Sequence, residues 1–264
     1  MASRSGLVSA LNSVFRPLRI VMLAGVAALA LSACASNRTS VSASADYSGL
    51  SAAQSQQSVA ELMARYKANP RDKGLAIHYA AALRAVGQSQ QAVSVLEISL
   101  GQNPRDPDIA VAYAKALTAD GRFDQALQVL DNVIRPEAPD WNALLVKGAA
   151  LDQLGRNGEA RALYTQALVL APGEASIEAN MGLSYAMTNE LTQAEQHLRR
   201  AVQMRGATSR IRQNLALIVG LQGRFTEARA LYGAELPPEQ VESNMAYIRA
   251  LLTQQNRWDL IEKS

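Results

Sequence analysis

Residues 141–174 read WNALLVKGAALDQLGRNGEARALYTQALVLAPGE, and residues 175–208 read ASIEANMGLSYAMTNELTQAEQHLRRAVQMRGAT. Laid one over the other, Gly148 meets Gly182, Gly155 meets Asn189 and Ala160 meets Ala194. The same register extends along the chain in both directions. Gly87, Gly121, Gly155, Asn189 and Gly223 stand 34 residues apart, as do Ala92, Ala126, Ala160, Ala194 and Ala228. A third column holds the small residues Ala80, Ala114, Gly148, Gly182 and Ala216. These columns divide the chain into repeats at 73–106, 107–140, 141–174, 175–208 and 209–236. Each period accommodates a helix, a tight turn and a second helix. The turn residue ends the first helix in the left-handed region, which Gly enters without steric cost and Asn tolerates best among the others. The two small-residue columns mark where the paired helices cross. Pro70, Pro104 and Pro172 close repeats, with Pro136 and Pro139 near the equivalent place, because proline cannot continue a helix.

A 34-residue helical period with these columns resembles the tetratricopeptide repeat (TPR). The expected fold is an all-α solenoid of about five repeats with terminal helices. Residues 58–68 form the second helix of an incomplete leading repeat, with Val59, Leu62, Met63 and Tyr66 on one face. Pro237 and Pro238 open a closing helix whose Val241, Met245, Ile248, Leu251 and Leu252 recur at helical spacing. The solenoid with its caps is expected over 58–254. A tail follows at 255–264, in which Trp258, Leu260 and Ile261 either fold back on the cap or form an exposed peptide.

The leader has a different character. Arg4, Arg16 and Arg19 precede the apolar run from Ile20 to Leu31, and Leu31-Ser32-Ala33-Cys34 follows. The apolar run is shorter than the ~20 residues that span a bilayer. The four-residue run resembles the lipobox of bacterial lipoproteins. That resemblance implies a signal peptide over 1–33, cleavage before Cys34 and a diacylglycerol on its thiol. Ordinary secretory cleavage after Ala33-Cys34-Ala35 is the competing reading. Ala35 and Ser36 follow the cysteine where an inner-membrane lipoprotein carries Asp, which implies the periplasmic face of the outer membrane. Residues 34–57 are rich in Ser and Ala and read as a flexible tether. The net charge of +3 disappears with the leader, leaving 23 basic and 23 acidic residues. A balanced chain without a basic stripe gives no reason to expect nucleic acid as a partner. Cys34 is the only cysteine, so an internal disulfide is excluded.

No catalytic constellation emerges. His78 lies in a first helix, and His197 lies on a charged helix face among Glu195, Arg199 and Arg200. Neither has a spaced His or Cys partner, and there is no G-x-S-x-G, Walker or HExxH sequence. The chain is therefore expected to be non-enzymatic, with neither metal nor cofactor.

In the TPR pattern the first helices line a concave face. That resemblance implies a partner-binding groove through Ile77, Val111, Leu145, Asn180, Leu183, Met187, Arg210, Asn214, Leu217 and Leu221. The groove is largely apolar, with Arg84, Lys115, Asp152 and Arg210 sparsely placed, which suits an amphipathic or extended peptide. Alternatively these side chains pack against neighbouring helices. In peptide-binding TPR domains, Asn at the register of Asn180 and Asn214 bonds the peptide backbone; bonding within the repeat is the other reading. The basic residues of the family's carboxylate clamp are absent.

In the C-terminal third stand Ser209-Arg210-Ile211-Arg212-Gln213-Asn214-Leu215-Ala216-Leu217, Gly220-Leu221-Gln222-Gly223-Arg224-Phe225, Leu236-Pro237-Pro238-Glu239-Gln240 and Asn244-Met245-Ala246-Tyr247-Ile248-Arg249-Ala250. With the lipobox and the Ser-rich tether, these runs resemble the TadD family, TPR lipoproteins of Flp/Tad tight-adherence pilus assembly. The resemblance implies an outer-membrane-anchored periplasmic adaptor whose partners are a secretin or other pilus assembly components. A TPR lipoprotein that regulates a periplasmic cell-wall enzyme is the alternative.

Overall fold

The computed structural model describes the backbone of residues 52–262 and the side chains of residues 53–254. The leader, the lipobox, Cys34 and residues 34–51 of the expected tether lie outside the described residues. The described chain is helical: α1 (Ala52–Ala68), α2 (Lys73–Ala85), α3 (Ser89–Gln102), α4 (Pro107–Ala119), α5 (Phe123–Asp131) and α6 (Trp141–Gln153). There follow α7 (Asn157–Leu170), α8 (Ala175–Met187), α9 (Leu191–Gln203), α10 (Ser209–Leu221), α11 (Phe225–Gly233) and α12 (Pro238–Glu262). Helices α2 to α11 make the five pairs that the columns mark.

The turns repeat one construction. Gly87, Gly121, Gly155 and Gly223 have φ between 75° and 82°, and Asn189 takes the same region at φ 62°. After each, the next residue's N–H bonds back across the turn: Gln88 to Leu83 O, Arg122 to Leu117 O, Arg156 to Leu151 O, Glu190 to Tyr185 O and Arg224 to Val219 O. This closes the carbonyls left open at a helix end. The start of each first helix is also periodic. Asp72, Asp106, Asp140 and Thr208 lie at multiples of 34 and accept backbone N–H bonds from Leu75, Ile109, Ala143 and Ile211. Glu174 stands at the fifth such place and makes no cap bond, which hides this column in the sequence.

Each first helix packs on its second helix and on the first helix of the next repeat. The crossing columns are closed: Ala92, Ala126, Ala160, Ala194 and Ala228 are each fully buried. One apolar cluster runs from Val59 through α7 to Ile177 and Met181 of α8, and a second runs from Ala175 and Ala179 through α12. Helix α12 caps the second cluster through Val241, Met245 and Ile248, as its spacing predicts. At the other end, α1 covers α2, with the rings of Tyr66 and Tyr79 5.5 Å apart.

Two boundaries differ from expectation. Helix α1 begins at Ala52 rather than Ser58. The added residues AAQSQQ lack large apolar side chains, but Ala and Gln favour helix and Ser55 is buried. Residues 52–57, expected in the tether, are therefore helical. At the C-terminus the backbone of α12 continues to Glu262, so residues 255–262 prolong the cap helix. The side chains of Trp258, Leu260 and Ile261 lie outside the described residues.

Candidate functional site

The ten groove residues occupy the first helices, but most are not open. Ile77, Val111, Leu145, Asn180, Leu183, Asn214 and Leu217 are buried, whereas Met187, Arg210 and Leu221 are half-exposed. The reason is the stacking of consecutive first helices, which closes the middle of each over its neighbour. Packing against neighbouring helices, the other reading of these residues, describes seven of the ten, and the half-exposed members all belong to α8 and α10. Lys115 and Asp152, expected in that groove, are also buried. The two asparagines part company. Asn180 Nδ2 donates to Ser176 O of its own helix at 2.8 Å. Asn214 Nδ2 and Ser176 Oγ are buried and have no hydrogen-bond partner among the described residues. A buried donor left unpaired costs about 1–3 kcal/mol, and both atoms lie on the first helices of repeats 4 and 5.

Between repeats 3 and 4 the packing is polar. Asp152 of α6 accepts from Tyr164 Oη at 2.8 Å, Ser184 Oγ at 2.7 Å and Asn157 Nδ2 at 2.7 Å, so one carboxylate ties α6, α7 and α8. Arg161 of α7 donates to Ser184 O and Glu190 and lies 3.9 Å from the Tyr185 ring centroid. The His197 ring stacks on Tyr185 at 5.1 Å, and its Nδ1 lies 2.7 Å from Glu178 Oε2. His197 is thus inserted between α8 and α9, not on the solvated face its charged neighbours suggest. Burial opposes ionisation of Glu178, but hydrogen bonds from His197 and Arg200 outweigh it and hold the carboxyl below its ordinary value. No sequence spacing announces this network, because Asp152 and Ser184 are 32 residues apart.

Burial pushes the Asp152 carboxyl above its ordinary value, despite its bonds from Ser184, Asn157 and Tyr164. A carboxyl with a raised pKa binds its proton more tightly folded than unfolded. Its stabilising contribution is complete below the ordinary carboxylate pKa and is lost as pH rises through the raised one. Urea denaturation should therefore show the wild type losing stability relative to Asp152→Asn as pH rises above about 4. A flat or rising difference would contradict this assignment.

Among the described residues, no group of three or more His, Cys, Asp or Glu is placed to hold a metal ion. No helix there is long and apolar enough to cross a membrane. What the arrangement offers is a stack of helix pairs with unsatisfied polar atoms and half-exposed apolar side chains on α8 and α10.

Residues 38–138 and residues 114–175 match two models of the tetratricopeptide repeat. The chain is similar to a thermophilic TPR protein of Thermus thermophilus, at 23% identity over 66% of this chain and 97% of that one, with a TM-score of 0.59. It is also similar to a tetratricopeptide repeat protein of Parabacteroides merdae, at 11% identity over 75% of this chain and 78% of that one, with a TM-score of 0.63. At these identities the likeness is one of fold. No curated protein matches the chain significantly. The periodic turns, the buried crossing columns and these matches agree: the described residues form a tetratricopeptide repeat α-solenoid.

Proposed function

We propose that this protein is an outer-membrane-anchored periplasmic adaptor that assists assembly of a Flp/Tad-type pilus or secretion apparatus. Lipid on Cys34 would hold the solenoid at the membrane, and the first helices of repeats 4 and 5 would take a segment of a secretin or another assembly component. Tethering raises the local concentration of the solenoid around a partner in the same membrane. The observation that carries the docking site is the pair of orphaned polar atoms, Ser176 Oγ and Asn214 Nδ2. They lie in the two helices that also present Met187, Arg210 and Leu221, and Asn214 belongs to a run that resembles the TadD family.

A partner segment laid there would place its apolar side chains on Met187 and Leu221 and offer a backbone carbonyl to Asn214. Replacing Asn214 by Leu separates docking from stability. The variant should be as stable as wild type or more so, since a buried unpaired donor is removed. It should bind a purified partner segment about tenfold more weakly, for want of one hydrogen bond. Unchanged affinity would sink the role given to Asn214. The anchor is tested separately by Cys34→Ser, which should leave the outer-membrane fraction; a variant that stays there in full refutes lipidation as the attachment.

A further inference from the structure

The two ends of the repeat stack are halves of one repeat. Residues 55–68 of α1 hold the register of a second helix, and residues 243–255 of α12 hold that of a first helix. Neither has its mate among the described residues. The registers that would meet the mate are open at both ends, although the five repeats between close them. At the N-terminal end Leu62 is half-exposed, whereas Leu96, Leu130, Tyr164, Leu198 and Tyr232 in its register are buried. Ser58 is half-exposed at the register where the repeats bury alanine. Leu75 of α2 is half-exposed, whereas Ile109, Ala143, Ile177, Ile211 and Met245 at the same place in the later first helices are buried. At the C-terminal end Ala250 is exposed, where Ala80, Ala114, Gly148, Gly182 and Ala216 are buried. Beside it Leu251 is half-exposed and Tyr247 exposed, at registers where Leu183 and Leu217, and Leu145 and Ala179, are buried.

Within a repeat these registers meet one another. A Cβ at Gly148 would touch Tyr164, and one at Gly182 would touch Leu198 and the Ala194 carbonyl. The small column of a first helix therefore sits on the columns of Leu62 and Ser58 in its second helix. We propose that α12 of one copy seats on α1 and α2 of a second copy and completes a repeat with them, so that copies of this chain stack head to tail. Ala250 lies against Leu62 and Ser58, whose hydroxyl is already turned onto Gln54 O of its own helix. Tyr247 and Leu251 join Leu75 in the layer between first helices. Both mating helices overrun the turn register: α1 is already helical at Ala53, the place of Gly87, and α12 continues through Arg257, the place of Gly223, to Glu262. Two helices joined by a tight turn cannot both overrun it, whereas helices of separate chains can. Residues 39–51 of the same chain suit this place poorly, because Asp46 falls on the small crossing register and Gly49 on that of Leu83. A helix that only closes a stack carries a polar outer face, but α12 turns Tyr247, Ala250 and Leu251 outward. The contact is heterologous, so it propagates into an open row unless its rotation closes a ring. A row repeats α8 and α10 at a fixed interval, which strengthens the hold on a partner with several segments. The stacking rests neither on the lipid anchor nor on the pilus assignment.

The test places a photoreactive residue at Leu62 of the full chain, in cells that also make a second copy with a different tag, and maps the crosslinked peptides by mass spectrometry. The expected product joins Leu62 of one copy to residues 246–254 of the other, since α12 of the same chain lies at the far end of the stack. Tyr247→Asp combined with Ala250→Arg in the second copy should lower the yield of that product about tenfold or more. Both positions are exposed, so the helical circular dichroism and the melting temperature of this variant should match wild type. Four results would overturn the proposal: a product with residues 35–51, one with α1 of the second copy, products with other proteins only, or a yield that the double variant leaves unchanged.

Discussion

Met245→Asp is expected to lower the unfolding free energy by about 4–5 kcal/mol, among the largest losses a single substitution in this chain can cause. Met245 is fully buried under α12, between Val241 and Ile248, against α10 and α11. Removing its side chain forfeits about 2–3 kcal/mol of apolar burial. The aspartate then places a carboxylate in an apolar contact, which adds several kcal/mol or forces the helix away. Because each repeat touches only its neighbours, the damage should be local. Hydrogen exchange should show α10 to α12 opening first, while α2 to α7 keep their protection. Tyr247→Asp is the control, two positions on along the same helix at 44% exposure, and should change stability by no more than about 0.5 kcal/mol. Equal losses from the two variants, or a uniform loss of protection, would show that α12 is not the closing element.

Gly148→Ala should cost about 2–3 kcal/mol, although alanine is normally the better helix former by about 1 kcal/mol. A Cβ at Gly148 would stand 2.4 Å from Tyr164 Cε1, and the ring has little freedom to retreat. It is fully buried, and its hydroxyl is bonded to Asp152 at 2.8 Å. Two other repeats resolve the same crossing with Ala80 facing the register of Leu96 and Ala114 facing that of Leu130. Repeat 3 pairs the smallest residue with a larger ring. Gly148→Ala combined with Tyr164→Leu should therefore cost less than the sum of the two single changes, a coupling read by thermal or urea denaturation in a double-mutant cycle. Additive losses would show that the ring and the glycine are not in register.

These two cases divide what the sequence reveals from what it conceals. The turn column was legible because a left-handed residue admits few side chains, so Gly87, Gly121, Gly155, Asn189 and Gly223 announce themselves. The crossing columns were legible for the same steric reason. The capping column of Asp72, Asp106, Asp140 and Thr208 obeys the same period but uses two residue types and lapses at Glu174, so it blends with ordinary surface polarity. The state of the groove was not legible. Periodicity puts Leu145 and Leu217 on the first helices, but how far the next first helix slides over them depends on packing between repeats. His197 misled for a related reason: its sequence neighbours are charged, while its packing neighbours, Tyr185 and Glu178, come from another helix. The bonds from Tyr164 and Ser184 to Asp152 join residues 12 and 32 apart, and no local pattern encodes them.

The proposed docking of an assembly component on repeats 4 and 5 is tested most directly by site-specific photocrosslinking in cells. A photoreactive residue at Met187 or Leu221 reads the proposed face, and one at Val169, 79% exposed on a second helix, reads the opposite side. A secretin or another pilus assembly component crosslinked from Met187 and Leu221, not from Val169, and lost in Cys34→Ser, is the predicted result. Crosslinks to cell-wall enzymes, or adducts of the same assembly component from Val169 alone, would contradict it.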